Sequence, residues 1–148
     1  MKISVITICL NEKNNIERTI KSVIGQTYND FEYVIIDGGS TDGTLEIIDN
    51  YKDHIDKLIS EKDKGIFDAQ NKGVLNANGD YVIFLNSGDH FVNDTILEKV
   101  INKGLESDVV YGDTLIFHKG RMIRKPALKE SPAPVVSTSL TIFGSLCT

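Results

Sequence analysis

The residues of this chain that could do chemistry fall in four short polar clusters: Asn11-Glu12, Asp37-Gly38-Gly39-Ser40-Thr41-Asp42-Gly43, Asp63-Lys64 and Asn86-Ser87-Gly88-Asp89. Asp89, beside the small residues Ser87 and Gly88, is the best placed hard oxygen ligand. One carboxylate suffices for magnesium when phosphates and waters supply the rest. The two common phosphate loops are absent. Gly38 to Gly43 has the end-glycine spacing of a P-loop, but Thr44 stands where lysine is needed, and no Gly-x-Gly-x-x-Gly opens the first helix. An ordinary ATPase or nicotinamide dehydrogenase is thereby excluded, and a diphosphate bound here requires a divalent cation to offset its charge. Cys9 and Cys147 lie at opposite ends of the chain with no CxxC or Cys/His cluster, which argues against zinc and against a disulfide framework. Cys9 reads as a buried thiol in a strand. His54, His90 and His118 are scattered and read as exposed or locally bonded groups, with His90 noted only as a neighbour of Asp89.

These clusters need elements to hold them, and the hydrophobic pattern supplies an alternation. Residues 3–10 are a continuous β-branched run, the pattern of a strand covered on both faces. Ile16, Ile20, Val23 and Ile24 then recur at helical spacing between residues 14 and 26. Strands are expected over 31–36, 55–60 (an edge), 81–85 and 108–111. Helices are expected after Asp42, which can cap the first of them, over 66–77 and over 94–102. Gly73 inside the third helix implies close helix-to-sheet approach, because glycine there otherwise costs roughly 1 kcal/mol relative to alanine. Strands alternating with helices give the fold class: α/β, a doubly wound, mostly parallel sheet. In such a sheet the ligand crevice lies outside the carboxyl ends of the strands, where all four polar clusters fall.

The chain has 148 residues, of which 41% are hydrophobic and 25% charged, ordinary globular composition for one domain. Its net charge of −5 gives no general attraction to nucleic acid or anionic lipid, so no nucleic-acid partner is expected. The opening apolar run stops at Asn11-Glu12-Lys13 with no small-residue cleavage site, and no stretch approaches the roughly 20 apolar residues of a membrane span. A cytoplasmic location is the expectation. The final stretch differs in kind: it holds Pro126, Pro132 and Pro134, the basic residues Arg121, Arg124, Lys125 and Lys129, and a Ser/Thr-rich end without a clear period. The basic group reads as a solvated face, with an anionic lipid-linked acceptor or a membrane surface as the alternative.

Taken in order, Ser4-Val5-Ile6-Thr7 leading to Asn11-Glu12, Val34-Ile35-Ile36-Asp37-Gly38-Gly39-Ser40-Thr41-Asp42-Gly43-Thr44, Asn71-Lys72-Gly73 and Gly79-Asp80-Tyr81-Val82-Ile83-Phe84-Leu85-Asn86-Ser87-Gly88-Asp89 resemble the family 2 glycosyltransferases. The resemblance covers about residues 3–117, and Ser60-Glu61-Lys62-Asp63-Lys64-Gly65-Ile66-Phe67-Asp68-Ala69 is similar to bacterial enzymes of the colanic-acid and capsule type. It implies the GT-A fold, a nucleotide-sugar donor, usually a UDP-sugar, and a magnesium or manganese ion. Position by position it implies that Asp37 hydrogen-bonds the base and that Thr7, Leu10 and Asn11, with Glu12, line the nucleoside. It places Asp63 and Lys64 near base and phosphates, Asn86, Ser87 and Gly88 in the Asp-x-Asp position, and Asp89 on the metal. The chain departs from the family pattern in three places. Asn86 and Gly88 leave one carboxylate in that motif, Leu10 removes an aromatic stacking platform, and Gly38 replaces the second acid of an Asp-Asp pair.

The family's inverting members need a carboxylate to deprotonate the acceptor hydroxyl, a contribution of roughly 10²–10⁴-fold. Asp113 is the only nearby candidate, with a turn residue as its other reading. The expected organisation is a donor-binding domain over 1–117 and an irregular tail over 118–148, the start of an incomplete, C-terminally truncated acceptor region. The function expected is inverting transfer of a sugar from a nucleotide-sugar to a glycan or lipid-linked acceptor in cell-surface polysaccharide synthesis. It would take place in the cytoplasm or at the inner face of the membrane, with peripheral membrane association. A non-catalytic nucleotide-sugar binding remnant and a nucleotidyltransferase remain as alternatives. The second would normally carry a Gly-rich basic loop after the first strand, where this chain has Asn11-Glu12-Lys13.

Overall fold

The apolar runs fold as parallel strands sandwiched between helices. The structure, a computed structural model, describes residues 1–104, 109–111, 114–118, 121–125 and 141–144. The first run forms β1 (Ile3–Cys9), buried along its whole length, and α1 (Ile16–Ile24) follows with Ile16, Thr19, Ile20 and Val23 turned inward. Then come β2 (Phe31–Asp37), α2 (Thr44–Asp49), a 3-10 turn at Lys52–His54, and the edge strand β3 (Lys57–Ser60). The middle of the chain gives α3 (Ile66–Leu75), β4 (Tyr81–Phe84) and α4 (Ile96–Asn102). Short strands complete the described residues: β5 (Val109–Tyr111), β6 (Thr114–His118), β7 (Arg121–Lys125) and β8 (Thr141–Gly144).

Among the described residues the main sheet runs β3-β2-β1-β4-β8-β5. β3, β2, β1 and β4 are mutually parallel, in a register that sets Cys9 beside Asp37 and Asp37 beside Ser60. The chain therefore leaves β1 toward β2 and β3 on one side and returns to β4 on the other, so the strand order reverses between β1 and β4. That reversal opens a crevice at the carboxyl ends.

Alternate strand residues feed two cores, as period-2 side chains must. On one face Ile3, Val5, Tyr33, Ile35, Ile83 and Leu85 meet Ile16, Ile20, Val23, Ile48 and Leu97 of α1, α2 and α4. On the other, Ile6, Ile8, Val34, Ile36 and Val82 pack around Ala69 of α3. Each fully buried aliphatic side chain stabilises the fold by roughly 1.5–3 kcal/mol. Gly73 lets α3 sit down on the sheet, for a Cβ there would lie 2.6 Å from Ile6 Cγ2. The close approach expected from its glycine is present. At the amino end of the sheet Glu32 is buried and takes hydrogen bonds from Ser4 Oγ (2.6 Å) and the Asn78 amide, with Lys2 Nζ 3.0 Å away.

Two expectations are corrected. Residues 118–148 are not without regular structure, because β7 and β8 form there; β8 inserts between β4 and β5, antiparallel to both. Antiparallel neighbours need no crossover helix, so a four-residue strand of this kind leaves no trace in a strand-helix alternation. Asp42 lies one position before the helix cap, Gly43, and its Oδ1 accepts from Thr44 N–H (3.0 Å) instead of serving as the cap itself.

Candidate functional site: the crevice at the carboxyl ends of β1, β2 and β4

Two loops leave the sheet side by side and are laced together by hydrogen bonds. Asn11, just past β1, holds a left-handed φ of 53°, which asparagine tolerates better than most residues. This turns its amide to donate to Ser40 Oγ (2.8 Å) and its side-chain oxygen to accept from Thr41 N–H (2.9 Å). Glu12 N–H donates to Thr44 Oγ1 (2.8 Å) and Lys13 N–H to Asp42 Oδ2 (3.1 Å). The Glu12 carboxylate meanwhile accepts from Asn15 Nδ2 (2.8 Å). Residues 11–13 and 40–44 thus form one rigid lip.

Asp37 anchors that lip from below. It is fully buried, and its oxygens accept from Gly39 N–H (3.1 Å), Ser40 N–H (3.0 Å), Ser40 Oγ and Ser60 Oγ (2.7 Å), with the Cys9 thiol 3.7 Å away. Burial pushes the Asp37 carboxyl up, but the donors on Ser40, Ser60 and Gly39 outweigh it and hold the group below the usual carboxylate value. The Cys9 thiol is pushed well above its ordinary value by burial and by Asp37, so it stays protonated and is no nucleophile.

Beside this anchor, at Gly38, lies a slot that two side chains fill. A Cβ on Gly38 would come 2.5 Å from Asp63 Oδ2 and 3.5 Å from Leu10 Cδ1, so the carboxylate of Asp63 and the side chain of Leu10 converge over bare backbone. Leu10 is 52% exposed. Asp63 Oδ1 accepts from Gly65 N–H (2.9 Å). Lys72, bonded to Glu61 (2.8 Å) and Asp68 (3.2 Å), braces the segment that carries Asp63.

The fourth cluster faces this slot across β1. Ser87 N–H donates to Ile8 C=O (3.0 Å), extending the β4 pairing to the tip of β1, and Asp89 N–H closes a turn on Asn86 C=O (3.0 Å). Strands lie about 4.8 Å apart, which sets the tips of β4 and β2 about 10 Å from each other. Burial raises the Asp89 carboxyl above its ordinary value, with nearby His90 and then Arg18 opposing. Asn86 Oδ1 and Ser87 Oγ are buried, and neither has a hydrogen-bond partner. Two orphaned oxygens in so small a turn are an unmet demand, since buried polar atoms are otherwise almost always paired.

Comparison with known proteins decides the family. Residues 4–141 match glycosyl transferase family 2. The chain belongs to this family. Among curated relatives, a cholesterol galactosyltransferase of Borreliella burgdorferi is 34% identical over 135 residues, 88% of this chain and 37% of the relative. A PGL/p-HBAD biosynthesis glycosyltransferase of Mycobacterium bovis is 36% identical over 119 residues, 76% of this chain and 46% of the relative. The family 2 chain therefore spans less than half the length of these relatives. Of solved structures, S. aureus TarS 1-349 in complex with UDP-GlcNAc aligns with TM-score 0.66 and 28% identity, over 74% of this chain and 33% of that one. Glucosyl-3-phosphoglycerate synthase from Mycobacterium tuberculosis, in complex with Mn2+, UDP and its product, aligns with TM-score 0.52 and 26% identity, over 60% and 35%. The fold is GT-A, as the motifs implied, and the family match runs on to residue 141, past the 117 at which the motif resemblance stops.

Within this family 2 chain the expected site residues separate. Leu10, Asn11, Glu12 and Asp63 lie around the tips of β1 and β2, whereas Asn86, Ser87, Gly88 and Asp89 follow β4 on the other side of β1. Thr7 does not reach the crevice, being fully buried one layer below with its hydroxyl 3.0 Å from Tyr33 Oη. Its odd position in β1 turns it into the α1-side core together with Val5 and Cys9. Asp37 reaches the crevice only through the loop it organises, because its oxygens are already taken. Lys64 is exposed and is held by its amide to Asp68 Oδ2 (3.0 Å). Asp113 lies outside the described residues. Among the described residues no three His, Cys, Asp or Glu side chains could cage a metal. Asp89 is the one carboxylate of the turn after β4, and a divalent cation held by a single carboxylate takes its remaining oxygens from ligand and water. Sequence reasoning missed Arg18 and Thr19, which reach this turn from α1. Their signal was there: Thr19 is a hydroxyl residue on an otherwise apolar helical stripe with Ile16, Ile20 and Val23.

Proposed function

We propose that this chain binds a nucleoside-diphosphate sugar in the crevice between the tips of β1, β2 and β4, and supplies the donor site of an inverting glycosyltransferase. The observation that supports the reading is one turn after β4, at the strand-order reversal, that carries Asp89 together with two buried, unpartnered oxygens, Asn86 Oδ1 and Ser87 Oγ. A magnesium or manganese ion held by Asp89 would act as a Lewis acid on the departing diphosphate. The chain's own residues do the rest. Exposed Leu10 would serve as an apolar platform for the base, with Asp63, which approaches the same Gly38 backbone, as its polar neighbour. Ionised Asp37 fixes Ser40, and through it Asn11, so that the lip is shaped before a ligand arrives. A uridine nucleotide is the favoured donor, supported by the UDP and UDP-GlcNAc named for the two structural relatives. Donor binding is assigned to the sheet built by residues 1–117, which β8 of the later segment joins, and the start of the acceptor region to the rest of 118–148, with Asp113 the candidate base. A glycan or lipid-linked acceptor of cell-surface polysaccharide synthesis at the inner membrane face suits this arrangement. The described residues contain no helix long and apolar enough to cross a membrane.

Calorimetric titration with UDP, GDP, CDP and dTDP, each with and without manganese, tests the reading. Manganese-dependent binding with UDP tightest is the expected outcome. Indifference to all four nucleotides would remove the assignment.

A further inference from the structure

We propose that Thr19 is a positioning residue: its hydroxyl, buried inside α1, bridges both main-chain groups that fix the Gly88-Asp89 turn, and thereby sets the direction of the Asp89 carboxylate. The inference rests on the donor-site reading above and adds a residue outside the crevice to it.

The geometry is that of a two-sided clamp. Thr19 is fully buried, and its Oγ1 accepts from Gly88 N–H (3.1 Å) while donating to Asp89 C=O (2.8 Å). Arg18, the preceding residue, donates from Nη2 to Gly88 C=O (2.9 Å). With Asp89 N–H on Asn86 C=O, all four main-chain polar groups of Gly88 and Asp89 have partners, and α1 supplies three of them. Gly88 adopts φ +96°, a conformation that other residues rarely hold, so the turn is not locally self-enforcing and depends on what grips it. The Asp89 carboxylate itself accepts no hydrogen bond among the described residues, so the protein's hold on this residue runs through its main chain. The rest of the α1 face extends the grip without touching this turn. Ser22 Oγ accepts from Phe91 N–H (3.2 Å), and Gln26 binds Asn93 C=O (2.7 Å) and Leu97 N–H (3.0 Å).

A hydroxyl is needed because one atom must both accept and donate. Valine keeps the volume and the burial of Thr19 and removes both functions. Loss of an outer partner of a metal-binding group typically weakens metal affinity about 10–100-fold.

The test is manganese-dependent UDP binding to the full chain, read with thermal stability for each variant. Thr19→Val is expected to weaken the manganese dependence at least about tenfold, and Thr19→Ser to restore it. Ser22→Ala, which removes a bond from the same helix face outside the turn, is expected to lower the melting temperature while leaving manganese affinity unchanged. Equal weakening in Thr19→Val and Ser22→Ala, or none in Thr19→Val, overturns the proposal. Asp89→Ala separates the two readings. If it leaves UDP binding intact the donor-site assignment fails, whereas if it abolishes binding and Thr19→Val does not weaken it, only the clamp fails. Should Thr19→Val not fold, hydrogen exchange on the wild-type chain decides: the Gly88 amide is expected to be protected before any nucleotide is added, and rapid exchange there contradicts a preset turn.

Discussion

Replacing Glu32 by glutamine tests whether a buried charge at the amino end of the sheet holds together the segments that carry the site. The carboxylate joins β1 through Ser4, the α3–β4 turn through Asn78, and the chain start through Lys2. Burial alone would raise its titration point, but the hydrogen bonds from Ser4, Asn78 and Lys2 prevail and bring it down from 4.5 to about 2. At 1.36 kcal/mol for each pH unit, that difference is worth about 3 kcal/mol at neutral pH. The Lys2 side chain is 42% exposed, so solvent screens its share and most of the effect belongs to Ser4 and Asn78. The sign follows from a folded-state value lying below the unfolded one. The stabilisation is complete above pH 4.5 and is lost as pH falls toward about 2. Glu32→Gln keeps the volume but turns a donor group toward other donors, so it should cost about 2–3 kcal/mol at pH 7. For a chain of this size that lowers the melting temperature by about 5–10 °C. Urea unfolding followed by circular dichroism at pH 7, 4.5 and 3 reads the gap between wild type and variant, which should narrow with acid. A gap of constant size across that range, or none at pH 7, would refute the reasoning.

Two further outcomes follow from packing and burial. Gly73→Ala should destabilise despite a helix-propensity gain of about 1 kcal/mol, because its Cβ would stand 2.6 Å from Ile6 Cγ2. A double-mutant cycle with Ile6→Ala should show the cost shrinking once that methyl is gone, and strict additivity would contradict the close approach. Cys9, buried and held protonated, should resist iodoacetamide at pH 8 in the folded chain and react only in urea, as mapped by mass spectrometry. Native-state labelling at Cys9 would show that the β1–β2 tip opens.

Most of the scaffold was legible because long apolar periods leave little choice. β1, α1, β2, α3 and β4 all form where the pattern sets them, with no end displaced by more than two residues. The strand-end rule points to the carboxyl ends of the strands, and Asn11, Asp63 and Asp89 each lie just past one, after β1, β3 and β4. Side-chain direction was harder to read. Thr7 alternates into the core with Val5 and Cys9, a fact fixed by the parity of β1 and its pairing with Tyr33, not by residue type. Asp37 was read as a ligand group, yet a carboxylate encircled by Ser40, Ser60 and Gly39 spends its capacity on the loop. No single-residue signal distinguishes those two uses of an aspartate. β8 escaped notice because four residues carry too short a period and its partners are distant in sequence.

The most direct check of the donor-site assignment is an anomalous difference map from crystals of the chain grown with UDP and manganese. A manganese peak in contact with the Asp89 carboxylate is expected, with a uracil ring lying on Leu10 and its edge toward Asp63. A peak on other residues, or a uridine bound away from the tips of β1 and β4, would contradict that assignment.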